Sequence, residues 1–353
     1  MELALLSVPA ASSPCPDWCQ FPADLLVSVF ASLDVMDLLT AGAVCRSWRE
    51  HHLVACRLGS RGRNQSPCLL YADRDRGPNE ATLRRLSTGQ LRHVALPDPP
   101  LRSRFLVGSS HGWLATANER SELILVNPIN GDQIALPLPF TIKNVRGRYN
   151  ADGVLEGYDL LDLDLATREC NTQAEPDYLT LEEGRFYFYV RVVMSADPSS
   201  GNCIVMILHM PYATVSYARV GDENWTWIDV DQRCCQYNGF FYNDSDRLFR
   251  GIRQTGELHT IDLNGPVPVV KSILRPITSL VDNDRYIVQA PWGDILQVWR
   301  YGHCDRTIGN DGRWTARHKV YTVDLEEQKL VETQLAGLCT VHWFQHPILS
   351  SSE

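Results

Sequence analysis

Apolar residues follow two different rhythms along this 353-residue chain. Between residues 17 and 57 the rhythm is helical. In FPADLLVSVFASL, the residues Leu25, Leu26, Val29, Phe30 and Leu33 recur at i, i+1, i+4, i+5 and i+8, a wide apolar stripe on a helix. Pro22 suits its first turn, and Asp24 lies near the positive N-terminal end. Asp34 and Asp37 offer caps for a second short helix carrying Leu38 and Leu39. Val44, Cys45 and Trp48 line one face of a third, with Arg46, Arg49 and Glu50 elsewhere. Three helices in about 35 residues hold too little core to stand alone and are expected to lean on a partner. The alternative is that the stripes pack only on each other or on the following domain.

From Ser66 onward, short apolar runs alternate with Gly, Asn, Asp and Pro turns, the rhythm of strands. A unit repeats. In LILVNPINGDQIALP a strand ends at Asn127, turns through Asn130-Gly131 and resumes at Ile134. LHTIDLNGPVPVV does the same from Asp262 to Val269, VYTVDLEEQKLVE from Asp324 to Val331, and LRRLSTGQLRHVALP from Ser87 to Val94. YARVGDENWTWIDV is a looser fifth copy, with Trp225 and Trp227 on one face of a strand. Hairpins recurring at about 40 residues predict propeller blades, each burying its faces against its neighbours. A two-sheet sandwich is the rival architecture, and the spacing favours the propeller. Residues 141–184 are acidic and irregular, either a degenerate blade or a loop, and YGHCDRTIGNDGRWTARH is a polar insertion.

Composition narrows the classes. A hydrophobic content of 44% is enough for a sizeable core. A net charge of -9 lacks the basic footprint of a nucleic-acid binder. The first residues, MELALLSVPAAS, lack a basic start and carry Glu2, so residues 1–16 are read as a loose leader rather than a signal peptide. No apolar run reaches the length of a membrane helix. Eleven cysteines at irregular spacing fit reduced thiols, so a cytoplasmic or nuclear, unsecreted protein is expected.

Candidate chemistry is sparse. GSSHGW, residues 108–113, fits the G-x-S-x-G pattern of a hydrolase nucleophile at Ser110. That elbow needs a helix after the serine, whereas Trp113 and Leu114 open a strand. Gly108 and Gly112 are read instead as permitting a tight turn, with His111 bonded to backbone. Cys15 and Cys19 with His51, His52 or Cys56 lack zinc-ligand spacing. Cys234-Cys235 are adjacent, and Asp159, Asp162 and Asp164 lack the glycine bend and terminal glutamate of a calcium loop. No catalytic, metal or cofactor site is expected.

DWCQFPADLLVSVFASLDVMDLLTAGAVCRSWREH resembles an F-box, through Pro22, Leu25, Leu26, Val29, Phe30, Leu33, Leu38, Leu39, Val44, Cys45, Arg46 and Trp48. Phe21 replaces the usual leucine. Thr40-Ala41-Gly42 is smaller than typical, and Gly42 is expected to weaken its helix by ~1 kcal/mol relative to alanine. The stretches LLYAD, GSSHGWL, VNPINGDQIALP, VVMSADPSSGN, WTWID, GDILQVWR and KVYTVDLEEQKLVE resemble the plant F-box family with a C-terminal β-propeller domain of unknown function. The end, LAGLCTVHWFQHPILSSSE, departs from that pattern.

The resemblance implies an all-α F-box of three helices, then an all-β propeller, incomplete or atypically closed. The expected layout is an F-box at 17–57, a linker at 58–65, a propeller at 66–345 and a tail at 346–353. Cys68–Ala72 and Leu338–Phe344 are expected to meet in one blade. The implied function is substrate recognition in a Skp–cullin–F-box ubiquitin ligase, without catalysis by this chain. Pro22, Leu25, Leu26, Val29, Phe30, Leu38, Leu39, Val44, Cys45 and Trp48 would bind the Skp adaptor, and the propeller would hold a protein substrate. Nucleic acid, membrane and cofactors are not expected. Two alternatives stay open: an F-box protein that delivers no substrate, and a propeller binder or hydrolase with the helices as a cap.

Overall fold

The computed structural model describes residues 18–57, 67–72, 77–164, 167, 169–210, 213–230, 236–277, 283–290, 292–303 and 315–333. The chain divides into two compact units, one reaching to Ser103 and including Val126–Gln133, the other holding the remainder.

In the first unit the helical rhythm gives α1 (Ala23–Ser32), α2 (Val35–Ala41) and α3 (Arg46–Arg57), after a short turn at Trp18–Gln20. Pro22 stands at the N-cap of α1, where its missing N–H costs nothing, and its carbonyl accepts from Leu26 N at 3.0 Å. Asp34 caps α2, accepting from Met36 N at 2.9 Å. Asp37, the other candidate cap, lies in the first turn instead. Helix α3 begins after Cys45, so Val44 and Cys45 lie in the preceding turn rather than on the helix.

The unit continues into an antiparallel sheet of β1 (Cys68–Ala72), β2 (Glu80–Arg85) and β3 (Leu91–Ala95). Arg85 Nη2 reaches Asp34 at 2.6 Å and Asp37 at 3.1 Å. Arg92 Nη2 donates to Thr40 Oγ1 at 2.9 Å. Leu39 packs on Ala81, Val94 and Leu96, so this leucine belongs to the sheet's core. Ile129 touches both that cluster and the helical core of Leu26, Phe30, Leu38 and Ala41.

Gly42 departs from expectation. It is the C-cap of α2, and an added Cβ would lie 2.8 Å from Cγ of the buried His52 ring. The small residue makes room for an imidazole, so the helix-propensity argument has the wrong sign here. Gly42→Ala is expected to destabilise the helices by about 1–2 kcal/mol through overpacking. Hydrogen exchange of residues 23–57 checks it, and unchanged or greater protection would restore the propensity reading.

The second unit is built of sheets. They comprise β4 (Phe105–Ser110), β5 (Trp113–Ala117), β6 (Leu123–Val126) and β7 (Gln133–Ala135); β8 (Val145–Tyr149) and β9 (Leu155–Leu160); and a hairpin of β10 (Asp162–Asp164) and β11 (Glu169–Asn171). Next come β12 (Asp177–Thr180), helix α4 (Leu181–Tyr187), β13 (Tyr189–Met194), β14 (Ile204–His209), β15 (Thr214–Arg219) and β16 (Thr226–Trp227). The last are β17 (Tyr237–Asn243), β18 (Leu248–Arg253), β19 (Leu258–Asp262), β20 (Val269–Leu274), β21 (Asn283–Gln289), β22 (Ile295–His303), β23 (Thr315–Asp324) and β24 (Lys329–Glu332). Four sheets are four-stranded meanders, β4 to β7, β13 to β16, β17 to β20 and β21 to β24.

Every repeat read from the sequence is the last hairpin of a sheet. The recurring Asn or Asp is a turn cap in three of them. Asn127 Oδ1 accepts from Ile129 N, Asp262 Oδ1 from Asn264 N and Asp324 Oδ1 from Glu327 N, at 3.0, 2.9 and 2.9 Å. Trp225 and Trp227 both meet residues 137–143. The Trp225 indole N–H donates to the Pro137 carbonyl at 3.0 Å, and Lys143 Nζ lies 4.0 Å from the Trp227 ring centroid.

Residues 141–184 are neither blade nor plain loop. They form a three-stranded sheet, β12-β9-β8, with the β10–β11 hairpin and α4, whose capping box joins Thr180 and Glu183. Strand β4 nevertheless lies directly against β13, so this sheet is an insertion between consecutive meanders. The meanders follow one another through their first strands, with β13 also beside β17 and β17 beside β21. Among the described residues no strand pairing joins the last sheet back to the first. Cys68–Ala72 pairs with β2, while Leu338–Phe344 lies outside the described residues.

His209 is buried in β14, with Nε2 2.9 Å from Ser216 Oγ, and burial lowers its pKa to about 4. The unfolded chain protonates this group below about 6.5 while the folded chain holds it neutral, so stability falls as pH drops from 6.5 towards 4. The expected loss is about 3 kcal/mol over that window. Melting curves against pH check it: His209→Gln should flatten the slope, and an unaltered slope assigns the loss to other groups.

Candidate functional site

The wide stripe of α1 divides by burial. Leu26 and Phe30 are 2% and 1% exposed, whereas Leu25 and Val29 are each 49% exposed. The two pairs are i, i+4 ridges about 100° apart, so one faces the core and the other faces out. Val44, at the turn before α3, is 58% exposed, and Pro22 is exposed too. Leu38 is buried, and Cys45 is half-buried with its Sγ accepting from Trp48 N at 3.5 Å. Trp48 sits edge-on to Phe30 at 5.4 Å, and its indole N–H donates to the Trp18 carbonyl at 2.9 Å. Of the ten sequence-predicted residues, Pro22, Leu25, Val29 and Val44 therefore form the outward apolar set. Leu26, Phe30 and Leu38 are interior; Leu39 packs on the sheet core, and Trp48 braces the module.

Sequence reading did not single out Trp18, Leu53 and Val54, which also expose apolar side chains. Periodicity gave no signal for them, because adjacent apolar residues such as Leu53 and Val54 fit a wide buried stripe as readily as an exposed one.

The hydrolase pattern resolves into structure. Ser110 closes β4, His111 and Gly112 turn with φ of 50° and 78°, and β5 follows, not a helix. His111 Nε2 hydrogen-bonds the Met194 carbonyl at 3.2 Å. Gly108 lies within β4 rather than in the turn, and its role is close approach to β13. The helix N-terminus that supplies oxyanion donors in a nucleophile elbow does not follow Ser110. A fluorophosphonate probe is expected to leave it unlabelled; labelling abolished by Ser110→Ala would overturn this reading.

Among the described residues, no group of three or more His, Cys, Asp or Glu side chains is placed to hold a metal. Asp159 is paired with Arg148 at 2.7 Å, and His52 is packed on Gly42. Cys15, Cys234 and Cys235 lie outside the described residues.

A KIB1-4 beta-propeller family match covers residues 83–337 and an F-box-like match residues 18–53. The chain belongs to the KIB1-4 β-propeller family. Two Arabidopsis thaliana proteins are similar to this family member. F-box/kelch-repeat protein At3g18720 is 25% identical over 63% of this chain and 50% of its own length. F-box/kelch-repeat protein At1g57790 is 30% identical over 34% of this chain and 32% of its own. The matched part thus spans half or less of these relatives. The C-terminal WD40 domain of Sif2 is 15% identical, with a TM-score of 0.36, covering 76% of this chain and 70% of that one. Among the described residues no helix is long and apolar enough to cross a membrane.

Proposed function

We propose that this chain is the substrate-recognition subunit of a Skp–cullin–F-box ubiquitin ligase acting inside the cell. Residues 17–57 dock the Skp adaptor, and the propeller holds a protein substrate for enzymes on other subunits. The observation that supports this best is the surplus of apolar surface on α1 and before α3. Leu25, Val29 and Val44 stay exposed although Leu26, Phe30, Leu38 and Ala41 already complete the helical core. Exposed apolar ridges beside a finished core mark a surface awaiting a partner. The interior residues act on binding through the fold of the module, and the outward ones through contact.

The test is a calorimetric titration of the full chain with a purified Skp-type adaptor. Saturable one-to-one binding at about 1 µM or tighter is expected. Absence of saturable binding would sink the reading.

A further inference from the structure

Arg191 lies on β13, one of the first strands that stand side by side in the second unit. It sits at a register shift in β13, opposite Leu208, and Gly239 sits at the matching shift in β17. Bulges of this kind re-aim a side chain out of the regular ladder. The arginine runs across Gly239: a Cβ there would lie 3.5 Å from Nε, 3.7 Å from Cζ and 3.9 Å from Cδ. Tyr286 lies on β21, whose first-strand position places it beside β17.

Among the described residues this cation is unpartnered. Its Nε is buried without a hydrogen bond, and no carboxylate faces it. Other buried arginines of the same unit are compensated. Arg253 meets Glu257 at 3.4 Å, and Arg285 donates to the Gln254 carbonyl and lies over the Trp299 ring. Burial pulls the Arg191 pKa down, yet an arginine stays charged at any physiological pH. A half-buried fixed charge without a counter-charge is costly, and native interiors pair such groups. Arg191 as a residue is half-buried rather than sealed from solvent.

We propose that Arg191 is an anion-binding point on the bulged strands β13 and β17, taking a carboxylate or phosphate group in its guanidinium fork. Arginine's planar fork matches both oxyanions, whereas lysine offers only a point charge. The inference deepens the substrate-holding role proposed for the propeller and rests on that reading for its setting. Its test involves no adaptor, so the two fail separately.

The experiment melts the full chain in inorganic phosphate, in acetate and in chloride at equal ionic strength. Phosphate stabilises many proteins non-specifically, so the readout is the difference between wild type and variants. Wild type should gain an anion-specific rise in midpoint that saturates. Arg191→Gln should lose that rise, with apparent affinity down about tenfold or more. Its midpoint in chloride should equal or exceed that of wild type, because an uncompensated charge is gone. Arg191→Lys should keep a weaker response. A rise in phosphate alone assigns a phosphate ligand, and a rise in both assigns a carboxylate-sized oxyanion. No anion-specific rise in wild type, an equal rise in Arg191→Gln, or a marked fall of that variant's midpoint in chloride would each overturn the proposal.

Discussion

Gly108→Ala is expected to lower the stability of the propeller by about 4 kcal/mol, near the upper end for overpacking a rigid site. The added Cβ would lie 2.4 Å from the Val192 carbonyl oxygen and 3.2 Å from its carbon. The obstacle is backbone in a neighbouring sheet, so no side-chain rotation relieves it. Strands β4 and β13 must separate, which loosens the cluster that holds Val107, Trp113, Val192 and Met194. For a unit of this size the midpoint should fall by roughly 10 °C. Gly153→Ala is the control. Gly153 has φ of 76° with nothing within 4 Å of an added Cβ, so that variant bears only backbone strain of about 1 kcal/mol. Equal midpoints for the two variants would show that the close approach of β4 and β13 is not what holds the sheets together.

The second large effect concerns the outward ridge of α1. The double variant Leu25→Asp, Val29→Asp should weaken adaptor binding by about 100-fold or more, as expected when a central apolar anchor is replaced by charge. Both positions are exposed, so the helical signal should survive. Leu26→Ala is the opposite case. It empties a core site and should cost about 2–5 kcal/mol of module stability, with binding lost only as far as the helices unfold. Circular dichroism alongside the titration separates the two. Retained affinity in the double variant would mean that the adaptor, if it binds, uses another face.

Much of this was legible in the sequence. The hairpins could be read because a side chain that caps a turn and a period of two are local signals, joined in the Asn127 and Asp262 hairpins by asparagine and glycine in the turn. Asn127, Asp262 and Asp324 behave as the spacing implied. The three helices were legible for the same reason. What stayed hidden is tertiary. The apolar stripe of α1 spans both the buried Leu26 and the exposed Leu25, and periodicity alone cannot say which half turns inward. Gly42 and Gly108 looked like a weak helix position and a turn residue. Each is instead set by atoms far along the chain, the His52 ring and the Val192 carbonyl. The insertion at 141–184 was opaque because its sheet is ordered β12-β9-β8, an arrangement that no run of adjacent hairpins announces. Within it the Thr180 to Glu183 capping box was readable and passed unnoticed. In YVRVVM nothing distinguishes Arg191 from an ordinary surface arginine.

Ile129 gives the first unit a schedule. The helices end at Arg57, yet a side chain packed on their core arrives with the turn between β6 and β7. At typical synthesis rates of about 5–20 residues per second, the stretch from Arg57 to Gln133 takes roughly 4–15 s to emerge. During that interval the nascent F-box carries its outward ridge with the core still missing one wall. Chaperone capture, or early engagement by the adaptor, would act on this half-built form rather than on the finished module.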